Sequence, residues 1–451
     1  MPVAVPLADV ISNNLDAARA QMGVSLGWHI IVASLGVGFP IIILFAEWRA
    51  LHRKDSDALR LARTWAKTAG VLFAVGAVSG TIISFEMGIL WPGLLGTFGS
   101  VIGLPFALEG IAFFIEAIFV GIYLYGWDRL SPRMHLLSGV PVAVAGIASA
   151  FFIVTANAWM NDPQGFSRVN GKVTSPQPLT AMFNPATGPE TLHLLLASLM
   201  VTGFVVASVY AFAYLRGRRD RYHRLGFIIA FVFAAVTTPL QIGAGDIAAR
   251  YVADRQPVKL AALEAQANTQ SGAPEHLGGV FINGQLHGAV LIPHALSILA
   301  FGNPNATVKG LNSVPPANRP PVNEVHIAFD LMVGIGFGLL ALSTWLAWAW
   351  RRLRSLPTSR WFFRAAVLAG PAAAIATEAG WVTTEVGRQP WIVYGVLRTD
   401  QAISTAPGLF VLFPVLLAVY TVLTVATLLV LRRMGQASRL TVVPATQLAA
   451  S

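Results

Sequence analysis

Apolar stretches of about 20 residues recur along the chain and are separated by short polar segments. A helix that crosses the hydrocarbon core of a bilayer needs about 20 predominantly apolar residues, so each stretch predicts one membrane-spanning helix. The first stretch lacks a basic leader and a small-residue cleavage site, which favours a span over a cleaved signal peptide. The pattern therefore predicts an all-α, polytopic membrane protein with about nine transmembrane helices, near residues 25–47, 66–90, 101–126, 135–157, 189–214, 225–249, 323–350, 362–386 and 405–431.

The composition agrees with a bilayer as the main solvent. Hydrophobic residues make up 55% of the 451 residues and charged residues only 12%, against roughly 25% charged residues in soluble domains. The chain has no cysteine, which excludes disulfides, thiolate metal sites and covalent c-type haem attachment. Any haem is therefore expected to be held non-covalently. The net charge of +10 lies in short basic runs between apolar segments, a pattern typical of membrane orientation, and no nucleic-acid partner is expected.

Lysine and arginine are distributed unevenly between the two sets of polar segments. Twenty of these basic residues fall in every second polar segment, at 49–63, 129–133, 216–224, 351–364 and 432–439. Because basic loops remain in the cytoplasm, the N-terminus is expected outside and the C-terminus inside. The predicted organisation is six transmembrane helices in 1–249, a long outer segment at 250–322, and three helices with a cytoplasmic tail in 323–451.

Several polar or metal-capable side chains are predicted to lie at a similar depth, near the outer face. The helical rise of 1.5 Å per residue gives their depths, and an ionisable residue inside a span costs roughly 2.5 to 3.5 kcal/mol, which makes it a functional candidate. Haem iron accepts a His/Met axial pair, so two of them on opposing helices form a candidate low-spin haem site. Taken singly, such a methionine is more often a packing residue and such a histidine an interfacial one. The six residues are His29, Glu86, Glu109, His193, Met332 and Glu385, with His193 and Met332 as the candidate pair.

Two pairs of glutamates are spaced seven residues apart on predicted helices. Glu109 and Glu116 share one helix face, with Glu116 about 10 Å deeper. This spacing suits a proton relay, although separate hydrogen bonds to a neighbouring helix would also explain it. Glu378 and Glu385 repeat the spacing, and Glu385 leads into an outer loop, 387–391, whose arginine and tryptophan are suited to the interface where haem propionates would lie.

Several strings in the chain resemble subunit I of the cytochrome bd quinol oxidases. They are Glu378-Ala-Gly-Trp381, Glu385-x-Gly-Arg-Gln-Pro-Trp391, Glu109-Gly…Phe-Phe-Ile-Glu116, Gly-Trp-Asp-Arg129 and Asn157-Ala-Trp-Met160. The resemblance covers about residues 15–435, and the Gly-Arg-Gln-Pro-Trp string is highly specific. The outer segment corresponds to the quinol loop of that family and is short, which most resembles the cyanide-insensitive branch.

The resemblance implies a set of haem sites. His193 and Met332 match the axial ligands of a low-spin haem b, Glu385 matches the ligand of a high-spin haem b, and His29 matches the proximal ligand of the oxygen-reducing haem, which is haem d or a third haem b. Glu109 matches a carboxylate beside the oxygen-reducing iron and is a further candidate ligand. The remaining matches are Glu116 as a proton-pathway residue, Trp381 as an aromatic bridge between haems, and Arg19, Arg388 and Trp391 as cofactor-binding residues.

The resemblance also implies a quinol site in the outer segment, at Lys259 and Glu264. These residues lie in an Ala- and Leu-rich stretch that predicts a short amphipathic helix near the membrane surface. Five residues rotate a helix by about 500°, so the two side chains are expected to point apart and to have separate roles. One departure is Asp330, which stands where relatives can carry arginine and is expected to lower the potential of the nearby haem.

The implied function is that of a terminal oxidase in the bacterial cytoplasmic membrane. Quinol (ubiquinol or menaquinol) would be oxidised at the outer face and dioxygen reduced to water with cytoplasmic protons, which generates a proton motive force without pumping. The implied partners are subunit II, small single-helix subunits and membrane lipid.

Two other classes of protein remain open at this point. A haem-copper oxidase would need several more intramembrane histidines, for which His276, His287 and His294 in the outer segment do not substitute. A proton-coupled transporter would explain the buried glutamates without haem.

Overall fold

The computed structural model describes residues 7–440, and their side chains over 13–436. Within that part of the chain, nine helices are long and apolar enough to cross a membrane. Numbered along the chain, the helices are α1 (Leu7–Arg53), α2 (Ser56–Leu90), α3 (Pro92–Tyr125), α4 (Pro132–Asn161), α5 (Pro178–Met182), α6 (Thr187–Leu215), α7 (Arg221–Arg255), α8 (Pro257–Leu263), α9 (Ala295–Phe301), α10 (Val322–Leu353), α11 (Arg360–Val386), α12 (Thr399–Ala402) and α13 (Leu409–Leu440).

The strands of the described residues are short and form antiparallel two-stranded sheets. They are β1 (Ser167–Val169) with β2 (Lys172–Thr174), β3 (Gln270–Ser271) with β8 (Thr307–Val308), β4 (Glu275–Leu277) with β7 (Val290–Ile292), β5 (Val280–Ile282) with β6 (Gln285–His287), and β9 (Trp391–Val393) with β10 (Leu397–Arg398). The predicted all-α class and the nine spans are therefore confirmed, with small hairpins added in the connections.

Each of the nine predicted spans corresponds to one long helix, but most of the helices extend beyond the apolar window. The largest extension is at α1, which begins 18 residues before the predicted start. Its polar first turns are anchored by hydrogen bonds to the segment before α13. Asn14 Nδ2 donates to the carbonyls of Ser404 and Ala406, each at 2.9 Å, and Gln21 Nε2 donates to that of Leu409 at 2.9 Å. A hydropathy window detects the apolar part of a helix and not an end that is stabilised in this way.

The long helices pack around α1 and α6. Helix α6 contacts α7, α11 and α1, while α2 lies against α1, α3 against α4, and α10 against α11. One apolar cluster, which includes Phe204, Phe231 and Phe362, joins the helices at the end where α1 turns into α2. A second cluster, around Phe98 and Trp159, lies at the opposite end. These two clusters fix the helices at both ends and leave space between them.

The segment between α7 and α10 is compact. It spans residues 256–321, slightly shorter than predicted because α7 continues to Arg255. The hairpin of β5 and β6 is nested inside the pair formed by β4 and β7. Helix α8 occurs where a short amphipathic helix was predicted, but residues 259–263 are all buried rather than lying at a surface. The segment therefore closes one end of the helix bundle.

Candidate functional site

A cavity of about 2120 Å³ lies between the two apolar clusters. Sites for one small ligand are usually about 300 to 1000 Å³, so this space suits several large groups. Helices α1, α3, α6, α10 and α11 contribute to its wall, together with the outer segment. Its lining includes almost every predicted site residue: Arg19, His29, Glu109, Glu116, His193, Lys259, Glu264, Met332, Trp381, Glu385 and Arg388.

His29 on α1 has one ring nitrogen engaged and one available. Its Nδ1 lies 2.7 Å from Oγ of Ser79, and the Ser79 hydroxyl donates to the carbonyl of Gly76 at 3.0 Å. A serine has one proton to donate, so Nδ1 of His29 must donate to Ser79 and Nε2 keeps its lone pair. Neutral imidazole with one nitrogen fixed by a hydrogen bond is the usual state of a metal-ligating histidine.

His193 and Met332 face the cavity from different helices, as predicted. The Nε2 atom of His193 lies 3.0 Å from the amide nitrogen of Gln241 on α7. Met332 on α10 packs against Gly380 on α11, where a Cβ atom would lie only 2.9 Å from the sulfur. The glycine thus makes room for the thioether, and the donor set of imidazole and thioether is one that haem iron accepts.

Glu385 lies at the end of α11 in a network of buried polar groups. Asn157 Nδ2 donates to one carboxylate oxygen and Arg388 Nη2 donates to the other. Arg388 is 3% exposed, and its Nε and Nη1 have no protein partner among the described residues. Arg19 reaches the same loop, since its Nη2 donates to Oε1 of Gln389 at 3.0 Å. Buried guanidinium donors without partners fit an anionic group such as a haem propionate.

Glu109 and Glu116 both line the cavity and face α4, in agreement with the predicted common face. Ser149 on α4 donates to Oε1 of Glu109 at 3.4 Å. Glu116 is buried and lies against Gly146, where a Cβ would come within 3.3 Å of its Oε1. The two carboxylates therefore form a line along α3 that leads away from the outer segment.

Lys259 and Glu264 are both buried and do not pair with each other, as the helical rotation predicted. Lys259 Nζ donates to Oδ1 of Asn161 at 2.9 Å, whereas the backbone carbonyl of Glu264 accepts from His276 Nδ1 at 2.5 Å. Burial, together with the charge of Arg388, lowers the pKa of Lys259 to about 7. Burial raises the pKa of Glu264 well above its usual range, as do the nearby carboxylates of Glu275 and Asp330.

Asp330 joins α10 to the outer segment. Its Oδ2 accepts from the backbone N–H of Gly278 at 2.6 Å and lies 3.6 Å from Nε2 of His326. Burial and the charge of Asp330 raise the pKa of Glu275, on β4, to about 7. The carboxylates of Glu264, Glu275 and Asp330 thus share one corner of the cavity.

Three residues that the sequence singled out do not line the cavity. Trp391 lies on β9, and the guanidinium carbon of Arg398 is 5.4 Å from the centre of its ring. Glu86 is buried on α2 beside Ser25, and Glu378 lies against Gly27 of α1. Glu86 was predicted at the same depth as residues that do line the cavity. Equal depth in the membrane does not fix the direction in which a side chain points, so depth alone could not separate Glu86 from them.

Glu190 and Asn161 belong to the same polar network and were not among the residues predicted from the sequence. Asn161 Nδ2 donates to Oε1 of Glu190 at 2.8 Å, and its Oδ1 accepts from Lys259. The nitrogen and the oxygen of this one carboxamide group therefore connect α4 to α6 and α8. Glu190 precedes His193 by three residues, which places it on the same face of α6, and that spacing could have identified it.

The chain is similar to known proteins over most of its length. Residues 17–439 match the family model described as cytochrome bd terminal oxidase subunit I, close to the range of the resemblance. A protein of Bacillus subtilis (strain 168) named as a cytochrome bd menaquinol oxidase subunit I is 37% identical over 428 residues, which cover 93% of this chain and 96% of the relative. The cytochrome bd ubiquinol oxidase subunit 1 of the same organism is 30% identical, covering 87% and 86%.

A solved structure is similar over almost the whole length. The bd oxidase from Geobacillus thermodenitrificans matches with a TM-score of 0.88 and 40% identity, covering 94% of this chain and 98% of that one. The family comprises haem-bearing subunits of quinol oxidases, so the predicted oxidoreductase class, haem chemistry and multi-pass location in a bacterial membrane are confirmed. The haem-copper oxidase and the transporter are set aside. The chain belongs to the cytochrome bd terminal oxidase subunit I family.

Proposed function

We propose that this chain oxidises quinol where the outer segment meets the cavity and supports the reduction of dioxygen to water deeper in the same cavity. One observation carries the proposal. The predicted haem ligands, the candidate quinol residues and the candidate proton-transfer residues all line one continuous space. Electron transfer and proton transfer can then be coupled within a single chain.

The proposal includes three haem sites, which rest on the donor sets that line the cavity. His193 and Met332 would hold a low-spin haem b, Glu385 a high-spin haem b, and His29 a haem d or a third haem b, with Glu109 beside it. Haem, when bound, supplies reversible one-electron transfer and the iron at which dioxygen is reduced. The remaining assignments are to Arg388 and Arg19 as propionate partners, to Trp381 as an aromatic group between haems, and to Trp391 at the outer rim.

Lys259 and Glu264 are the proposed quinol-binding residues. Oxidation of a quinol releases two electrons and two hydroxyl protons, so the site needs a proton acceptor. Glu264 in its charged form is a strong acceptor, because burial and neighbouring carboxylates raise its pKa. Lys259, with a pKa of about 7, would orient the second oxygen from another side.

Protons for dioxygen reduction would come from the opposite side through Glu116 and Glu109. This proposal includes the orientation with the N-terminus outside and the C-terminus in the cytoplasm, which the basic segments favour. Release of quinol protons on one side and uptake on the other generates a proton motive force without pumping. Subunit II, small single-helix subunits and lipid are the proposed partners of the exposed apolar helix faces, on which Phe85, Phe114 and Leu368 are more than 60% exposed.

The test uses the chain purified with its partner subunit. We expect three haem groups per chain, identified by pyridine haemochrome spectra and by mass spectrometry of the extracted haem. Oxygen consumption should be driven by ubiquinol or by menaquinol, and assays with each will identify the quinone. A preparation that is folded but binds no haem, or that consumes no oxygen with either quinol, would contradict the proposal.

A further inference from the structure

A second polar cluster is buried at the end of the bundle away from the outer segment. Glu47 on α1, Tyr123 on α3 and His135 on α4 are 2%, 6% and 2% exposed. Nδ1 of His135 lies 2.7 Å from Oε1 of Glu47, and the Tyr123 hydroxyl donates to Oε2 of the same carboxylate. One carboxylate therefore connects three helices.

The hydrogen bonds of His135 define a site for one exchangeable proton. Its Nε2 lies 2.9 Å from the backbone carbonyl of Tyr123, while its Nδ1 faces Glu47. Each ring nitrogen of His135 therefore faces one oxygen atom. Both contacts are hydrogen bonds when the ring carries two protons and Glu47 is a carboxylate, and equally when the ring keeps only its Nε2 proton and a protonated Glu47 donates to Nδ1. The ring can gain or lose the Nδ1 proton while its heavy atoms stay in place.

The cluster is connected to Glu116 by a small cavity. Tyr123 follows Glu116 by seven residues on α3, so the two lie on one helix face about 10 Å apart along the axis. A cavity of about 40 Å³ is lined by both residues, and a water needs roughly 10 to 15 Å³ of such space with polar partners. Glu116 also lines the large cavity. A polar line therefore runs from the large cavity through Glu116 to Tyr123, Glu47 and His135.

The other side of the cluster is close to the exposed surface. The ring centres of His135 and Trp127 are 3.9 Å apart, and the guanidinium carbon of Arg63 lies 5.1 Å from the centre of the Trp127 ring. Arg63 in turn pairs with Asp128 at 3.2 Å, with side chains 45% and 85% exposed. One aromatic layer thus separates His135 from charged groups in contact with water.

The geometry points to Glu47, Tyr123 and His135 as the entry site for protons that move towards Glu116, an inference that rests on the proposed function of Glu116. His135 takes a proton from the solvent side and passes one from Nδ1 to Glu47. Glu47 passes one to the Tyr123 hydroxyl oxygen, which releases its own proton to water in the small cavity, and that water protonates the Glu116 carboxylate. One proton enters, one arrives, and no electron moves.

The experiment compares variants of the complete oxidase with its haems and partner subunit. Glu47→Gln and Tyr123→Phe keep the shape of the side chains and remove one transferable proton each. We expect proton uptake during a single turnover to slow by about tenfold or more in each, while haem content and the rate of electron entry stay unchanged. Tyr210→Phe is the matched control, because Tyr210 is a buried tyrosine that accepts from Trp65 Nε1 at 2.8 Å and does not line the small cavity. Its uptake rate should remain within about twofold of the parent.

Two results would overturn the inference. If Glu47→Gln and Tyr123→Phe lower the unfolding temperature but leave proton uptake within about twofold of the parent, the cluster is a structural ion pair that fixes three helices. Glu116→Gln is measured in parallel to locate any failure. Slow uptake in Glu116→Gln alone refutes only the entry site, whereas normal uptake in Glu116→Gln refutes the proposed function of Glu116 and the entry site with it.

Discussion

Replacement of Gly380 by alanine tests the proposed ligation by Met332 without changing any ligand. A Cβ at position 380 would lie 2.9 Å from the Met332 sulfur. Non-bonded heavy atoms are at their optimum at about 3.5 to 4.0 Å, so the sulfur must move by at least about 0.6 Å. A site of this kind must be held within about 0.5 Å of its working geometry. The added methyl group should therefore displace the thioether from the iron.

The cost in stability is expected to be small. Overpacking typically costs about 1 to 3 kcal/mol, and the flexible methionine side chain favours the lower end of that range. Alanine is favoured over glycine inside a helix by about 1 kcal/mol. These two effects nearly cancel, so the free energy of unfolding should change by no more than about 1 kcal/mol.

Reduced-minus-oxidised spectra and redox titrations of the purified oxidase measure the effect. We expect loss of the low-spin signal or a lower midpoint potential, because a Met ligand raises the potential of haem iron. Gly338→Ala is the control, since a Cβ at Gly338 on α10 meets no atom within 4 Å. A Gly380→Ala protein whose low-spin spectrum and potential match the parent would refute ligation by Met332.

Three further changes test other parts of the cavity. His193→Ala or Met332→Leu should remove the low-spin haem signal and leave oxygen-binding haem partly in place, as axial ligation needs both side chains; an unchanged spectrum in both variants would contradict the assignment. Glu264→Ala should strongly reduce quinol-driven oxygen consumption and preserve haem content and turnover with an artificial one-electron donor, whereas equal loss with both donors would indicate misfolding. Glu275→Gln should flatten the pH dependence of stability. The pKa of Glu275 is raised from 4.5 to about 7, so the stability that its protonated carboxyl contributes is lost as the pH rises through that interval. Thermal unfolding across the interval measures this, and parallel curves for parent and variant would count against it.

The candidate site could be predicted in part because membrane burial makes polar residues conspicuous. His29, Glu109, His193 and Glu385 stand out in apolar stretches, and the structure places all four on one cavity wall. Glu86 stands out equally but lies away from that cavity. Insertion cost identifies which residues need a reason to be in a membrane, while the direction of a side chain depends on how the helices rotate against each other.

The polar partners of the site could not be predicted from local patterns. Asn161 connects Glu190 and Lys259 across nearly 100 residues of sequence, and Asn157 reaches Glu385 across 228. Asparagine is common at the ends of helices, so its presence at position 161 carries little information by itself. Similarly, the contact between Gly380 and Met332 exists only once α10 and α11 are packed.

The sequence by itself determined the number of spanning helices, the segments between them and the kinds of ligand available. These properties depend on short-range hydropathy, since a bilayer requires every spanning backbone to satisfy its own hydrogen bonds as a helix. Only the tertiary structure decided which side chains meet. It placed Lys259 in a buried network, placed an oxygen atom opposite each ring nitrogen of His135, and linked Tyr123 to Glu116 through a small cavity. Such contacts depend on the packing of distant helices, which the local sequence does not encode.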